Sequence, residues 1–284
     1  MINRLAEWCR QVMADDHWGA RCMVALYLSL LSGVVVALQY DPTHPYFSAT
    51  SLDILAPFGA FWRALHFYGS QLFFLLAIVH LLAVLADRSH KSLPTNRWVP
   101  LALSMVVALL LLFTGYVLRG DATGSSAGMI AENIVLSIPV LGGFCDSILF
   151  SLVDEGMKRI YANHLIGLGL LWLVLAWDHI RRYRISWRQH PLMVLGLVAV
   201  AVTVTAPMEP EQLGLFHING PWFFIGLQEL LRYVQPFWAG IVWPTTLLVA
   251  LLLLRNGAME ARARRFCLGW LGIYALLTVI GLYR

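Results

Sequence analysis

The chain has 284 residues, of which 59% are apolar and only 13% are charged, and its mean hydropathy is +0.70. This composition excludes a soluble globular domain and is typical of an integral membrane protein. The formal net charge of +4 comes from basic residues in short loops between apolar runs, which favours a role in membrane orientation over nucleic-acid binding.

Seven apolar runs follow one another along the chain, and each is long enough to cross a bilayer as a helix. About 20 apolar residues suffice for one crossing. We therefore predict an all-α, polytopic membrane protein. The longer connection 119–159 predicts two short interfacial helices, broken at Pro139 and Gly142. The seven runs cover approximately residues 20–40, 60–87, 98–118, 160–181, 191–208, 237–255 and 266–283.

Basic residues are concentrated in the three loops that follow the second, fourth and sixth runs. Alternate loops lie on the same side of a membrane, and loops rich in lysine and arginine stay on the cytoplasmic side. We therefore predict a cytoplasmic N-terminus and an outer C-terminus, and we expect a bacterial inner membrane as the location.

The second and fourth runs each carry two histidines, and ionisable residues inside membrane spans are rare and usually functional. His66 and His80 are fourteen residues apart, and His164 and His179 are fifteen apart. Four turns of α-helix take about 14.4 residues, so both rings of each run face one side, about 21 Å apart along the axis. Both runs point from the outer to the cytoplasmic side. This predicts an outer pair, His66 and His164, and an inner pair, His80 and His179.

Two histidine pairs at two levels predict two b-type haems, because bis-imidazole ligation suits low-spin haem in electron transfer. Zinc prefers four clustered ligands. The four cysteines form no C-x-x-C pair, which argues against covalent haem or an iron–sulfur cluster on this chain. Two alternatives remain open: histidines that only bond to neighbouring side chains, and a haem-free transporter that uses them as proton relays.

Residues around the histidines suit the same cofactor. A flat haem requires close approach of the backbone, which glycine permits; Gly19 and Gly33 lie fourteen residues apart in the first run, and Gly115 lies in the third. Arg63 and Arg159 precede the outer pair by three and five residues, and both are candidates to pair with haem propionates. Interfacial snorkelling of these cations is the competing interpretation.

Several segments resemble the cytochrome b subunit of the Rieske/cytochrome b family, the quinol–cytochrome c and quinol–plastocyanin reductases. "RALHFYGSQLFFLLAIVH" resembles the second helix of that family, and "KRIYANHLIGLG…DHIRRYRIS" resembles the fourth. "FTGYVLRGD" and "NIVLSIPVLG" are similar to its "TGY-x-L-P-W" and "AIP-x-IG" segments. The fifteen-residue histidine spacing looks like the plastoquinol-oxidising branch, with the small subunit of that branch fused on. This implies a four-helix dihaem domain over 1–190 and a three-helix quinone-site region over 191–284.

The resemblance also implies a mechanism. The outer pair would hold a low-potential haem, the inner pair a higher-potential haem, and quinol would be oxidised near the outer side. Partner subunits, a Rieske iron–sulfur protein or a multihaem cytochrome c, would exchange electrons with the chain, and the family assembles as a homodimer.

One motif departs from the family pattern. Its quinol-oxidation motif is Pro-Glu-Trp-Tyr, whereas this chain has Gly220 followed by Pro221, Trp222 and Phe223. The glutamate that accepts a proton is therefore missing. Glu229 lies about two turns beyond Trp222 and would share its face if the stretch were helical; Glu132 is the second candidate for the base.

The prediction is a dihaem cytochrome b subunit of a membrane quinol oxidoreductase that moves electrons across the membrane between quinone and partner redox subunits. The alternative with the same haems is a membrane anchor, which relays electrons between quinone and a dehydrogenase or multihaem cytochrome without bifurcation at the outer site.

Overall fold

The structure is a computed structural model that describes residues 17–149, 156–183, 185, 187–212 and 218–283. These residues form helices and loops, with no strand among them. Two helices, α7 and α10, each include a π-helical stretch, Asn163–Gly167 and Phe237–Val242. The eleven helices of the described ranges are α1 Trp18–Ala37, α2 Pro45–Ile54, α3 Gly59–Ala86, α4 Thr95–Val117, α5 Ala122–Leu136, α6 Gly142–Leu149, α7 Gly156–Ile180, α8 Pro191–Thr203, α9 Ile225–Leu230, α10 Phe237–Leu253 and α11 Glu260–Leu282.

Each predicted apolar run coincides with a helix, which confirms the all-helical class. Within the described residues, α1, α3, α4, α7 and α11 are long and apolar enough to cross a membrane, while α8 and α10 are shorter apolar helices. The predicted run 191–208 is helical only as far as Thr203. The next residues include β-branched Val204 and Thr205, which are stiff in a helix, and Pro207 disfavours helical backbone at Ala206.

The connection between α4 and α7 contains the two predicted short helices, α5 and α6. Asp121 caps the start of α5, where its carboxylate accepts the Gly124 N–H at 2.8 Å. α5 ends before Pro139, and α6 begins at Gly142, where an added Cβ would lie 2.5 Å from the carbonyl oxygen of Leu136. The predicted break at Pro139 and Gly142 is confirmed.

The helices belong to two compact units, and α2, α4 and α7 contribute residues to both. The domain boundary predicted between 190 and 191 rests on the family resemblance and stays a prediction. The first unit contains the described residues of Met1–Tyr40, Phe47–Leu101 and Val174–Pro207, and the second contains those of Asp41–Tyr46, Ala102–Leu173 and Met208–Arg284.

In the first unit, α3 packs against both α1 and α8. The contact with α1 is close at Gly69, where an added Cβ would lie 3.4 Å from the backbone nitrogen of Ser29. Small residues allow such approach, and membrane helices associate through this packing because lipid is as apolar as their side chains. On the α8 side, Ala64 and Leu65 are buried with Leu197. These two contacts fix the rotation of α3 about its axis, and with it the direction of both its histidines.

In the second unit, α11 packs against α9 and α10. The rings of Trp243, Trp270 and Tyr274 form a stack, with centres 5.2 and 5.1 Å apart. The Tyr274 hydroxyl donates a hydrogen bond of 2.6 Å to the carbonyl of Phe223, just before α9. An added Cβ at Gly281 would lie 2.6 Å from the side chain of Ile225. Short α9 is therefore held from one side by α11.

Candidate functional site

The inner pair of histidines is assembled within the first unit. His80 lies in the last two turns of α3, and His179 lies in the last turn of α7. Their ring centres are 6.0 Å apart, and the ring planes are inclined by 38°. The Tyr183 ring lies 5.3 Å from the His179 ring. The structure thus brings together the two inner residues that the spacing argument pairs.

A cavity of about 340 Å³ adjoins the inner pair. Its walls combine apolar residues of α3, α4 and α7 with polar and charged residues of the same helices and of the loop that follows α3. Such a lining suits a flat apolar ligand with carboxylates at its edge. Arg97 and Arg182 belong to the lining, and arginine binds carboxylates in a bidentate geometry. The lining includes His80, His179, Trp18, Asn96, Arg97 and Arg182.

His66, in the outer pair, is oriented by α1. Its Nδ1 lies 2.8 Å from the carbonyl oxygen of Ser29. A carbonyl oxygen only accepts, so Nδ1 carries the proton and donates it. The lone pair is then on Nε2, and metal-ligating histidines are usually fixed in this way by a second group on the other nitrogen.

His164, the other member of the outer pair, is oriented in the same way by α4. Its Nδ1 lies 2.9 Å from Oγ1 of Thr114. The Thr114 hydroxyl donates its proton to the Leu110 carbonyl at 2.9 Å, so Thr114 Oγ1 accepts from His164. His66 belongs to the first unit and His164 to the second; their pairing stays a prediction.

A π-helical turn at Asn163–Gly167 accounts for the unequal histidine spacings. The Leu168 N–H bonds to the Asn163 carbonyl, five residues back, instead of four. Such a turn accommodates one extra residue within an α-helix and is frequent at functional sites. The fifteen residues from His164 to His179 therefore cover about the rotation that fourteen cover from His66 to His80.

The three predicted glycines each face the ring of a predicted ligand. An added Cβ would lie 2.7 Å from the His66 ring at Gly33, 3.1 Å from the His164 ring at Gly115 and 3.2 Å from the His80 ring at Gly19. Separations under 3.0 Å do not occur between real Cβ atoms and their neighbours, so a side chain at Gly33 would displace the ring. The sequence predicts that these glycines make room for haem; in the structure they make room for the imidazoles.

The two predicted propionate partners have partners inside the protein. Arg63 is buried and forms a bidentate ion pair with Asp53, with 2.6 Å between Arg63 Nε and Asp53 Oδ1. It also donates a hydrogen bond to the Ala206 carbonyl at 2.8 Å. Arg159 donates to the carbonyl of Ser147 in α6 at 2.7 Å. These bonds are not visible in the sequence, and the propionate role of either cation stays a prediction.

The predicted quinone-site residues form a turn and not a helix. Pro221 and Phe223 are buried, whereas Trp222 is 45% exposed. The Phe224 N–H closes the turn on the Pro221 carbonyl at 2.7 Å, and α9 begins only at Ile225. Trp222 and Glu229 would share a face only on a continuous helix, and this condition is not met, because the helix begins at Ile225.

Glu229 itself is 2% exposed, although the sequence does not mark it as buried. Its Oε1 accepts the Tyr233 hydroxyl at 3.0 Å, and its Oε2 lies 3.2 Å from Nε of Arg232. A buried carboxylate requires such partners, because an unpaired charge is costly away from water. Glu132, the other candidate base, is half-buried on α5.

Two polar side chains of the second unit, Asp121 and Gln228, were missed by sequence reasoning. Asp121 is completely buried and, besides capping α5, pairs with Arg119 and accepts the Glu209 N–H at 2.9 Å. Gln228 accepts the Gly220 N–H at 2.9 Å and donates to the Ile218 carbonyl at 2.7 Å. The N-cap role of Asp121 could have been predicted from the sequence, because aspartate is a preferred N-cap residue. The bonds to residues distant in sequence could not, because no local sequence pattern indicates them.

The family model and the relatives that match this chain are all cytochrome b proteins. Residues 10–184 match the family model described as cytochrome b/b6/petB. Cytochrome b6 of Heliobacterium mobile is 27% identical to this chain, over 61% of this chain and 84% of that protein. The cytochrome bc1 complex cytochrome b subunit of Streptomyces coelicolor is 22% identical, over 87% of this chain and 56% of that protein.

A similar fold is found among solved structures. A chain of the structure described as a hyperthermophilic respiratory Complex III superposes with a TM-score of 0.71, covering 94% of this chain and 86% of that chain. Its sequence identity of 19% makes this a likeness of fold.

Proposed function

The chain belongs to the cytochrome b family, whose members bind haem and transfer electrons in the membrane as part of bc-type complexes. On this premise we propose which of its residues hold the haems. The inner pair, His80 and His179, holds one b-type haem, and the outer pair, His66 and His164, holds a second. Haem supplies one-electron chemistry at each level. The haem-free transporter no longer competes, because the family is one of haem proteins.

The inner pair fits this cofactor. The ring centres of His80 and His179 are 6.0 Å apart, so the two imidazoles would be close enough to hold one haem iron between them. The adjoining cavity offers Arg97 and Arg182 for the propionates. This 6.0 Å separation is the observation that carries the proposal.

The outer pair also suits haem ligation, because a hydrogen bond at Nδ1 orients each of its two imidazoles. The Nδ1 of His66 bonds to the Ser29 carbonyl, and the Nδ1 of His164 bonds to Thr114. Both bonds leave Nε2 as the ligating nitrogen, and they hold each ring in one orientation.

Quinone is the substrate that we propose for this chain. Pro221, Trp222 and Phe223 would line the outer quinone site, and Glu229 would accept a proton there. Tyr233 connects the Glu229 carboxylate to the surface, because its ring is largely exposed while its hydroxyl bonds to Oε1. A buried carboxylate in contact with a hydroxyl that reaches the surface is suited to taking up a proton and passing it outward.

We further propose the setting of the chain. A Rieske iron–sulfur protein or a multihaem cytochrome c would exchange electrons with it at the outer side, within a homodimeric or larger complex. The location would be a bacterial inner membrane with a cytoplasmic N-terminus, in line with the three basic loops on one side.

A reduced-minus-oxidised spectrum with a haem assay tests the central proposal. We expect a b-type band and two haems per wild-type chain. His179→Leu should leave one haem, whereas His44→Leu, at an exposed loop histidine, should leave two. A wild-type protein without a b-type band would refute the proposal.

A second candidate function is electron relay between quinone and a partner, without bifurcation at the outer site. The motif glutamate is replaced by Pro221, and the carboxylate of Glu229 is already paired with Arg232, which together favour this candidate. Quinol-dependent haem reduction, measured with and without an outer-site inhibitor, separates the two. Reduction that the inhibitor leaves unaffected would support the relay.

A further inference from the structure

The buried ion pair of Arg63 and Asp53 lies in the first unit, where α2, α3 and the segment after α8 meet. The side chains of Arg63 and Asp53 are only 10% and 20% exposed. The Nε and Nη2 groups of Arg63 both donate to the Asp53 carboxylate, and Nη2 also donates to the Ala206 carbonyl. Arginine has five N–H bonds, and these three hydrogen bonds use the ones on Nε and Nη2.

This ion pair is next to a predicted haem ligand. Arg63 precedes His66 by three residues on the continuous helix α3, and residues at that spacing are neighbours on one face. A charge in such a poorly solvated place acts strongly on its surroundings, because the effective dielectric is well below that of water. Whether Arg63 is neutralised therefore matters to any redox centre at His66.

We propose that Asp53 neutralises Arg63 and thereby keeps the haem at His66 at a lower midpoint potential than an unpaired arginine would give it. The inference rests on the proposed function, because it requires a haem at the outer pair. Asp53 acts here through Arg63, as a positioning residue.

The sign follows from charge. Oxidised haem carries one more positive charge than reduced haem, so nearby positive charge favours the reduced form and raises the potential. Removing the Asp53 carboxylate leaves the charge of Arg63 uncompensated, so the net local charge rises by one unit. This change raises the potential of the outer haem, and its effect fades with distance, so the inner haem about four helical turns away is affected less.

Potentiometric titration of the b-type bands in the purified complex tests this proposal. Asp53→Asn should shift the outer haem to a more positive midpoint potential, and Arg63→Gln should shift it to a more negative one. The double variant Asp53→Asn/Arg63→Gln keeps the local charge of the wild type, so its outer haem should titrate close to the wild-type potential. Asp41→Asn, at an exposed carboxylate, is the matched control and should shift neither haem.

The double variant also guards against misfolding, since it leaves no unpaired buried charge even if Asp53→Asn alone fails to accumulate. The proposal is overturned if Asp53→Asn leaves the outer potential unchanged, or if the double variant shifts it as far downward as Arg63→Gln alone. Failure of the proposed function would look different: the wild type would then lack one or both b-type haems.

Discussion

The Nδ1 of His164 and the hydroxyl oxygen of Thr114 are 2.9 Å apart, and the threonine proton is committed to the Leu110 carbonyl. Thr114 thus accepts from the imidazole and fixes both its tautomer and its rotation. This bond joins α4 to α7 within the second unit, at the level of the predicted outer haem.

Replacing Thr114 by valine should weaken the outer haem site. The shape is kept but the acceptor is lost, and loss of such a second partner costs about 10- to 100-fold in metal affinity. The effect is measured as the haem content that the protein retains after exposure to a chelator or to a haem-accepting protein. Thr245→Val is the control, because its exposed hydroxyl bonds only within its own helix; equal haem loss in both variants would contradict the role of Thr114.

Gly33→Ala should displace the His66 ring. The new Cβ would lie 2.7 Å from that ring, and overpacking of this kind costs about 1–3 kcal/mol. We expect one b-type haem to be lost or its spectrum to shift. Gly196→Ala, where an added Cβ has open space, should be neutral or stabilising by up to about 1 kcal/mol. A normal outer-haem spectrum in Gly33→Ala would show that the ring can move without cost.

Glu229→Gln should slow quinol-dependent haem reduction if Glu229 is the base. General acid–base groups typically contribute about 10²- to 10⁴-fold, and glutamine keeps the size of the side chain while removing its proton-accepting charge. Glu132→Gln, at the half-buried second candidate, is the comparison. Stopped-flow reduction of the haems provides the rates, and unchanged kinetics in Glu229→Gln would remove it from the mechanism.

Asp121→Ala should destabilise the second unit more than an ordinary surface change. The substitution removes an N-cap, which costs about 1 kcal/mol, and it leaves Arg119 without its buried partner, a class of change that costs about 3–5 kcal/mol. Thermal unfolding in detergent measures the loss. Asp41→Ala, at an exposed position, should change the transition little; similar transitions for both variants would argue that Asp121 is not a structural centre.

The helices and the histidine faces could be predicted because both depend on local periodicity. Apolar runs of membrane length appear directly in the sequence, and a spacing near four turns aligns His66 with His80 whatever surrounds them. The family resemblance, confirmed by the match over residues 10–184, extended this to the cofactor class.

What could not be predicted depends on contacts between distant residues. The Arg63–Asp53 pair and the bond from Asp121 to the Glu209 backbone join segments that no short window contains. Whether Trp222 and Glu229 share a face could not be predicted, because a two-turn spacing matters only where the backbone is helical, and the helix begins at Ile225.

The widened turn at Asn163–Gly167 has a consequence for length variation in this family fold. A chain with one residue fewer between the two histidines of α7 would reach the same alignment by closing that turn into regular α-helix. Deleting a single residue there, Leu165 for example, is therefore compatible with retention of both imidazoles on one face, whereas the same deletion in α3, which is α-helical throughout Gly59–Ala86, would rotate His66 away from His80 by about 100°.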